Sequence, residues 1–360
     1  MKAAVFVAAG RIELTDKPVP AVGPNDALIR ITTTTICGTD VHILKGEYLV
    51  EPGLTIGHEP VGVIDKLGSA VTGYKEGQRV IAGAICPNFN SYAAQDGVAS
   101  QDGSYLIDSG RCGVHGYKAT AGWRFGNLID GAQAEYLLVP DAQGNLALIP
   151  DGLSDEEVLM CPDIMSTGFS AAERAHVRLG DAVAVFAQGP IGLCATAGAK
   201  LSGASLVIGI DRVPARLEMA KRMGADVVLN YEQQDVLAEI KKLTGGGVDV
   251  AIEALGTQPT FENALRAVRP GGTLSSLGVY SGHLSVPLDA FAAGLGDHTV
   301  VTSLCPGGKE RMRRLMNIVA AKRAPFEALV THSFSLDQIE EAYDLFSHQR
   351  DGVLKVAIRP

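Results

Sequence analysis

Four side chains that can bind a metal ion stand in the first half of the chain, in segments that otherwise look suited to burial. Cys37 lies in TICGTDVH, His58 and Glu59 are neighbours in TIGHEPVG, and Asp163 lies in MCPDIMSTG. A thiolate, a neutral imidazole and a carboxylate give Zn²⁺ three protein ligands and leave one position open, as in catalytic zinc sites. One thiolate and one carboxylate already balance the charge of the ion. We therefore expect Glu59 close to the metal but not always bound to it.

Each of these residues also has an ordinary explanation. A lone cysteine is usually a small hydrophobic core residue. A lone histidine is more often a polar residue with satisfied hydrogen bonds than a ligand, and Asp163 can cap a helix through IMSTGFSAAE. Only the combination of residue types favours a metal site.

A glycine-containing turn in AVFAQGPIGLCATAGA predicts a dinucleotide site. Gly189 and Gly192 lie between an apolar strand and a helix, although Ala187 stands where the usual fingerprint has its first glycine. The helix N-terminus would bind the phosphates. The next strand ends at Asp211, 19 residues after Gly192, where a carboxylate binds ribose hydroxyls and repels a 2′-phosphate. We expect NAD rather than NADP, although Arg212 beside it could hold a phosphate; a glycine turn in another α/β sheet is the alternative.

The elements that must position these residues follow two patterns. Residues 1–150 contain short strand-like runs separated by Gly, Pro and Asp turns. From about residue 165, strands and helices alternate, which implies a parallel, doubly wound sheet. Two amphipathic helices and a closing strand follow Cys305. Residues 88–122 are polar and rich in glycine, and we expect a long surface loop there.

Composition limits the class of protein. A chain of 360 residues is too long for one ordinary core, and its net charge of -9 argues against a nucleic-acid partner. Six cysteines, spread thinly, do not make a disulfide scaffold. MKAAVFVAAG predicts a first β-strand rather than a signal peptide. The apolar stretch 182–200 is broken at Gln188, Gly189 and Pro190, which favours a strand and a helix over a membrane span. We expect a soluble, cytoplasmic protein.

Longer motifs carry a family resemblance. GHEPVGVIDKLGSAVTGYKEGQRV resembles the zinc signature of the zinc-dependent medium-chain alcohol dehydrogenases, and CGTDVH and the domain order agree with it. PDIMSTGFSAAE, AGWRF, DGAQAEYLLVPDAQGNLALIP, LCPGG and LVTHSFSLDQIEEA are most similar to the bacterial secondary-alcohol branch. The resemblance covers nearly the whole chain. It implies an α/β protein with a GroES-like, β-rich catalytic domain at 1–164, a Rossmann domain with a doubly wound parallel sheet at 165–304, and a segment at 305–360 that completes the catalytic domain.

The resemblance also implies residue roles. It makes Cys37, His58 and Asp163 the ligands of one catalytic zinc, with Glu59 as an accessory or alternate ligand. It implies that Thr39 contacts the substrate oxygen and that His42 passes the proton through the ribose. The alternatives are a turn residue and a solvated side chain.

Many relatives hold a second, structural zinc on four closely spaced cysteines. This chain has only Cys86 and Cys112 in that region, 26 residues apart, and we predict no structural zinc. The 88–116 loop is longer than the branch leads us to expect, and it has no assigned role.

The resemblance assigns the remaining contacts. The predicted cofactor contacts are Thr167, Gln188, Gly189, Pro190, Ile191, Gly192, Asp211, Arg212, Leu255, Gly256, Gly278, Val279 and Lys355. The predicted substrate pocket is Ala84, Trp123, Leu304 and Cys305, although Trp123 could equally be a core residue.

The predicted function is transfer of hydride between NAD(H) and a small secondary alcohol or ketone, by a zinc enzyme that forms a homotetramer. A polyol or amino-alcohol dehydrogenase of the same superfamily is the alternative enzyme. A zinc-free quinone reductase shares the fold but has no use for the metal set. A non-catalytic sensor of NAD or zinc is the alternative of a different class.

Overall fold

The computed structural model describes residues 1–104, 118–280 and 282–360. The chain divides into two compact units, one formed by residues 1–166 with 305–360 and the other by residues 167–304. Residues 105–116 of the predicted 88–116 loop, Cys112 among them, lie outside the described residues.

A seven-stranded sheet and a separate two-stranded ribbon frame the first unit. The strands are β1 (Lys2–Ala8), β2 (Arg11–Asp16), β3 (Ala27–Thr35), β4 (Val61–Leu67), β5 (Arg79–Ala82), β6 (Tyr136–Val139), β7 (Leu146–Leu148), β14 (Val330–Ser335) and β15 (Lys355–Arg359). The sheet order is β14-β15-β3-β4-β5-β7, with β6 paired to β3, while β1 and β2 pair with each other. Strand β15 runs parallel to β14 and antiparallel to β3.

Strand β3 forms because its sequence, ALIRITTTT, is rich in β-branched residues. Its isoleucines Ile29 and Ile31 are buried in a core with Phe125 and Leu137. Antiparallel pairing with β4 brings the end of β3 beside the start of β4. The segments that contain Cys37 and His58 therefore meet at one end of the sheet.

The helices of the first unit are short except near the end of the chain. They are α1 (Gly38–Leu44), α2 (Tyr92–Gln95), α3 (Ala142–Asn145), α4 (Asp155–Val158), α10 (Lys309–Ala320) and α11 (Ile339–Ser347). A π-helical turn spans Cys161–Met165, and 3₁₀ turns span Ala99–Gln101, Phe326–Leu329 and Leu336–Gln338. Helix α11 buries its apolar face, including Tyr343 and Phe346, against a core that contains Ile36 and Ile56.

The second unit is built around six parallel strands in the order β10-β9-β8-β11-β12-β13. The strands are β8 (Ala182–Phe186), β9 (Leu206–Asp211), β10 (Val227–Asn230), β11 (Val248–Glu253), β12 (Val268–Ser276) and β13 (Thr299–Thr302). The helices are α5 (Ser166–Arg174), α6 (Pro190–Leu201), α7 (Pro214–Arg222), α8 (Val236–Thr244) and α9 (Gln258–Ala267), with a 3₁₀ turn at Ala292–Gly294. This strand order is that of a doubly wound dinucleotide-binding sheet, so the prediction from alternating strands and helices is confirmed. Among the described residues, no helix has both the length and the apolar character to cross a membrane.

Candidate active site

Cys37, His58, Glu59 and Asp163 form one buried cluster, in which one ligand atom of each lies within 4.8 Å of the others. Cys37 Sγ lies 3.3 Å from Asp163 Oδ2, and His58 Nε2 lies 3.5 Å from the same oxygen. In a tetrahedral zinc site with bonds of about 2.0–2.3 Å, ligand atoms are about 3.3–3.8 Å apart. The cluster therefore fits a zinc ion by donor type and by spacing.

Three separate segments bring these residues together. Cys37 is the residue before helix α1, and His58 and Glu59 precede strand β4. Asp163 lies inside the π-helical turn rather than at the cap of α5. Such turns are uncommon and often occur at functional sites, because the extra residue redirects a side chain.

Burial and charge shift the pKa values of the cluster. Burial, and then Asp163, raises the pKa of the Cys37 thiol. Burial by itself would lower the pKa of His58, but the nearby carboxylates of Asp40 and Asp163 raise it well above its usual value. Burial raises the pKa of Glu59 to about 7, against the opposing effect of Lys355. A bound divalent cation would favour the thiolate and carboxylate forms instead.

Asp40 lies behind His58 and was not assigned a role from the sequence. Its Oδ1 is 3.4 Å from His58 Nδ1, long for a hydrogen bond, and its Oδ2 accepts the N–H of Cys37 at 2.9 Å. A carboxylate on the far nitrogen of a metal-binding histidine fixes the ring and its tautomer. The available sequence signal was an acidic residue three positions after Cys37, where a capping box places one.

Lys355 is paired with Glu59 inside the protein. Its Nζ lies 2.5 Å from Glu59 Oε1 and donates to the carbonyl of Ile36 at 3.1 Å. The two side chains are 1% and 0% exposed, and the other oxygen of Glu59 accepts no hydrogen bond from the described residues. The ammonium group of Lys355 is thus directed to the metal cluster, and the cofactor contact predicted for this residue stays a prediction.

Thr39 and His42 both lie on α1, the helix that begins after Cys37. Thr39 is half-buried, and the His42 side chain is 43% exposed. His42 Nδ1 makes a short hydrogen bond with the Glu47 carboxylate. The helix therefore leads from the buried cluster toward solvent.

Aromatic rings form a row beside the cluster. The His42 and Tyr48 ring centroids are 5.5 Å apart, and the Trp123 ring lies 6.0 Å from both Tyr48 and His58. Burial, and then Cys37, raises the pKa of the Tyr48 phenol. Tyr48 was not singled out from the sequence, because one tyrosine in a loop has no distinguishing pattern.

Of the other predicted pocket residues, two lie near Asp163. Ala84 donates its N–H to the Pro162 carbonyl at 2.9 Å, and Cys305 Sγ is 3.7 Å from the Asp163 carbonyl oxygen. Leu304 is the last residue of the second unit.

The two glycines of the turn in the second unit differ in the space around them. A Cβ on Gly192 would lie 1.9 Å from the carbonyl oxygen of Ala187, which explains the need for glycine where helix and strand approach. Gly189 has nothing within 4 Å of such an atom. Ala187 adopts φ 73°, a left-handed conformation that glycine adopts more easily. Although Ala187 replaces the first glycine of the usual fingerprint, the backbone there thus keeps a conformation that glycine would adopt.

Gln188, for which a phosphate contact is predicted, makes hydrogen bonds within the second unit. Its side chain is fully buried and bonds to the Val185 carbonyl and the Thr196 hydroxyl. Its N–H donates to Asp211 Oδ2 at 2.7 Å. Gln188 therefore links the turn to Asp211. The first turn of α6 contains Pro190 and Ile191, and N–H groups at the start of a helix lack helical partners. The phosphate contacts predicted there stay predictions.

Asp211 is held rigidly at the end of β9. Its Oδ1 accepts the N–H groups of Arg212 and Val213 at 2.7 and 2.9 Å, and its side chain is 6% exposed. The Arg212 side chain is 60% exposed and lies 3.4 Å from Glu232. A buried carboxylate and an exposed guanidinium thus lie next to each other at the predicted ribose site.

The loops at 255–256 and 278–279 are packed backbone against backbone. A Cβ on Gly278 would lie 2.2 Å from the nitrogen of Gly256, whose φ is +91°. The buried Glu253 accepts the N–H of Gly256 at 2.8 Å. The predicted cofactor residues of these two loops therefore pack closely together. The Glu253 carboxylate, which the sequence did not single out, binds the backbone of the 255–256 loop. Thr167, also predicted, begins the second unit.

The region in which many relatives hold a structural zinc on four cysteines is only partly described. Cys86 is fully buried, and burial raises the pKa of its thiol to about 12. Cys112 lies outside the described residues, so the predicted absence of a structural zinc stays a prediction.

Comparison with known proteins agrees with the site. Family models match at residues 23–151 (alcohol dehydrogenase GroES-like domain) and 190–321 (zinc-binding dehydrogenase). An alcohol dehydrogenase of Cupriavidus necator is 74% identical over 100% of this chain and 99% of its own. The NADP-dependent isopropanol dehydrogenase of Thermoanaerobacter brockii is 36% identical over 99% of each chain. The solved zinc-dependent alcohol dehydrogenase 2 from Streptococcus pneumonia, in its apo form, has a TM-score of 0.87 and 33% identity, over 100% of this chain and 98% of its own.

The chain therefore belongs to the zinc-dependent medium-chain alcohol dehydrogenase family. The predicted family and the fold class, a GroES-like domain with a Rossmann domain, are confirmed. The chain is an alcohol dehydrogenase, and the choice between NAD and NADP is left open by these relatives.

Proposed function

We propose that this enzyme transfers hydride between NAD(H) and a small secondary alcohol or ketone. The observation that carries the proposal is the buried cluster of Cys37, His58 and Asp163, with an unpartnered oxygen of Glu59 beside it. The relative named an isopropanol dehydrogenase supports a secondary alcohol as substrate.

Cys37, His58 and Asp163 would hold the zinc ion, and Asp40 orients His58 so that Nε2 faces the ion. When bound, zinc supplies Lewis acidity to the substrate oxygen, and the nicotinamide supplies the hydride acceptor. Lys355 holds Glu59 Oε1 and leaves the second oxygen available to the site.

Thr39 and His42 are proposed to remove the substrate proton. The Thr39 hydroxyl both accepts and donates, so it can receive a proton and pass one on. The imidazole of His42 can accept a proton, and its side chain is exposed enough to exchange that proton with solvent. A proton on Nδ1, donated to the Glu47 carboxylate, would leave Nε2 as the accepting atom.

The residues on the substrate side of the cluster favour a substrate with a small apolar group. The indole N–H of Trp123 donates to the Phe125 carbonyl at 2.9 Å, so its ring offers apolar surface beside His58. Ala84 adds a methyl group near Pro162. A polyol would gain no hydrogen bond from these side chains.

Asp211 supports NAD as the cofactor. Its negative charge is fixed by backbone N–H groups and would repel a 2′-phosphate while accepting ribose hydroxyls. Some relatives are named as NADP-dependent, and Arg212 is next to Asp211. The cofactor preference must therefore be measured directly.

A kinetic panel with zinc analysis tests the whole proposal. We expect one zinc per chain, oxidation of 2-propanol and 2-butanol, and reduction of aryl methyl ketones. Polyols should be poor substrates, NAD should be a better cofactor than NADP, and chelation of the zinc should abolish activity. Preference for polyols would favour the alternative dehydrogenase, and bound zinc and NADH without turnover of any substrate would favour a sensor. NADP preference would overturn only the cofactor assignment. The homotetramer is tested by light scattering.

A further inference from the structure

We propose, on the basis of the metal centre put forward above, that Gln133 and Tyr343 are positioning residues for the metal-binding His58. They act through Asp40, so that helix α11 helps to set the metal affinity of the cluster.

Asp40 is the first link. It is completely buried, and its Oδ2 accepts two donors, the N–H of Cys37 at 2.9 Å and Nε2 of Gln133 at 3.2 Å. These two donors fix the plane of the carboxylate. Oδ1 is then left facing His58 Nδ1, where a carboxylate steadies a metal-binding imidazole.

Gln133 is the second link, and both the nitrogen and the oxygen of its side-chain amide make hydrogen bonds. Nε2 also donates to the Thr35 carbonyl at 3.2 Å, and Oε1 accepts the Tyr343 hydroxyl at 2.9 Å. An amide in the reverse orientation would place its oxygen against Asp40. The partners of Gln133 therefore select the orientation in which it donates to Asp40.

Gln133 also holds the segment that contains His58. Its N–H donates to the Ile56 carbonyl at 2.9 Å, and Ala132 donates to the Gly57 carbonyl at 2.8 Å. Gly57 has φ +91°, and a Cβ there would lie 2.6 Å from Cγ of Gln133. One glutamine thus contacts the segments on which Cys37 and His58 lie.

Tyr343 is the last link and the only one from helix α11. It is 4% exposed and packs in the same core as Ile36 and Ile56, which flank the ligand segments. Burial, and then Asp40, raises the pKa of Tyr343 well above its usual value. Its hydroxyl therefore stays protonated and donates to Gln133 at every working pH.

Two variants test the chain of contacts. Tyr343→Phe removes only the hydroxyl, and Gln133→Glu keeps the shape and the acceptor but removes the donor to Asp40. Tyr74→Phe is the matched control, because its hydroxyl donates to the Leu146 carbonyl at 2.6 Å in the same unit, outside this chain of contacts. Zinc affinity is measured by competition with a chromogenic chelator, and the visible spectrum of the Co²⁺-substituted enzyme reports the ligand geometry.

We expect zinc binding about three- to tenfold weaker in Tyr343→Phe, below the effect of direct outer-shell partners, with a shifted Co²⁺ spectrum. Gln133→Glu should act in the same direction, and Tyr74→Phe should match the wild type. If the wild type binds zinc and both variants bind it equally well, the positioning role is overturned while the metal centre stands. If the wild type binds no zinc, the metal centre itself fails.

Discussion

The ammonium group of Lys355 lies 2.5 Å from Oε1 of Glu59, and neither side chain is more than 1% exposed. Attraction between the two charges is strong because no water screens it. Either charge alone at this position would be costly for the same reason. The pair therefore matters for stability mainly through what happens when one partner is removed.

Replacement of Lys355 by Met should leave Glu59 buried without a cation. We expect a loss of about 3–5 kcal/mol in the free energy of unfolding of the zinc-free protein, measured by urea denaturation. Adding Glu59→Gln should recover part of the loss. Lys322→Met removes an ion pair with Glu157 in which the lysine is 63% exposed, and should have little effect. Equal stability of Lys355→Met and wild type would mean that Glu59 is neutral or solvated.

The two glycines of the nucleotide turn should respond differently to alanine. Gly192→Ala places a methyl group against the Ala187 carbonyl and should lower the free energy of unfolding by about 1–3 kcal/mol or more. Gly189→Ala meets no atom within 4 Å and should leave thermal stability unchanged while raising KM for NAD. Thermal unfolding and cofactor kinetics measure the difference. An unaltered KM for NAD in Gly189→Ala would place the phosphates elsewhere.

The charge of Asp211 should determine cofactor choice. Asp211→Asn keeps the shape but loses the charged acceptor, whose hydrogen bonds are worth about 1.5–3 kcal/mol, so kcat/KM for NAD should fall about tenfold or more. The value for NADP should hold or improve, because repulsion of the 2′-phosphate is removed. Glu232→Gln, which changes an exposed carboxylate near Arg212, is the control. An equal fall in kcat/KM with NAD and with NADP would indicate that Asp211 has a purely structural role.

Glu47 should affect the pH dependence through His42. The hydrogen bond from His42 lowers the pKa of Glu47, so the carboxylate is charged at working pH and its negative charge lies beside the imidazole. Glu47→Gln keeps an acceptor without the charge. The rising limb of kcat for alcohol oxidation should therefore move to lower pH, by less than about one pH unit because water screens the pair. Profiles from pH 6 to 9 measure the shift, with the exposed Glu51→Gln as the control; an unmoved profile would separate Glu47 from proton removal.

The parallel sheet was predictable because alternation of apolar strands and amphipathic helices is a local property of the sequence. The metal candidates were predictable for a related reason: thiol, imidazole and carboxylate are identified by residue type. The structure brings these four within 4.8 Å of one another, and their binding of zinc stays a proposal.

The supporting residues were not predictable in the same way. Asp40, Gln133 and Tyr343 are ordinary polar residues whose roles arise only when distant segments meet; Gln133 and Tyr343 are 210 positions apart. The burial of Lys355 and its pairing with Glu59 likewise depend on segments that are distant in sequence. For Gln188, the sequence indicates its place in the turn but not the direction of its buried side chain.

The sequence separation of Glu59 and Lys355 also has a consequence for protein synthesis. Lys355 follows Glu59 by 296 residues, so at about 5–20 residues per second the ribosome adds it roughly 15–60 s later. During that interval the nascent first unit contains the acidic ligand cluster without its buried cation. Productive closure of this unit, and with it capture of zinc in the final geometry, must therefore follow translation of the nucleotide unit rather than precede it.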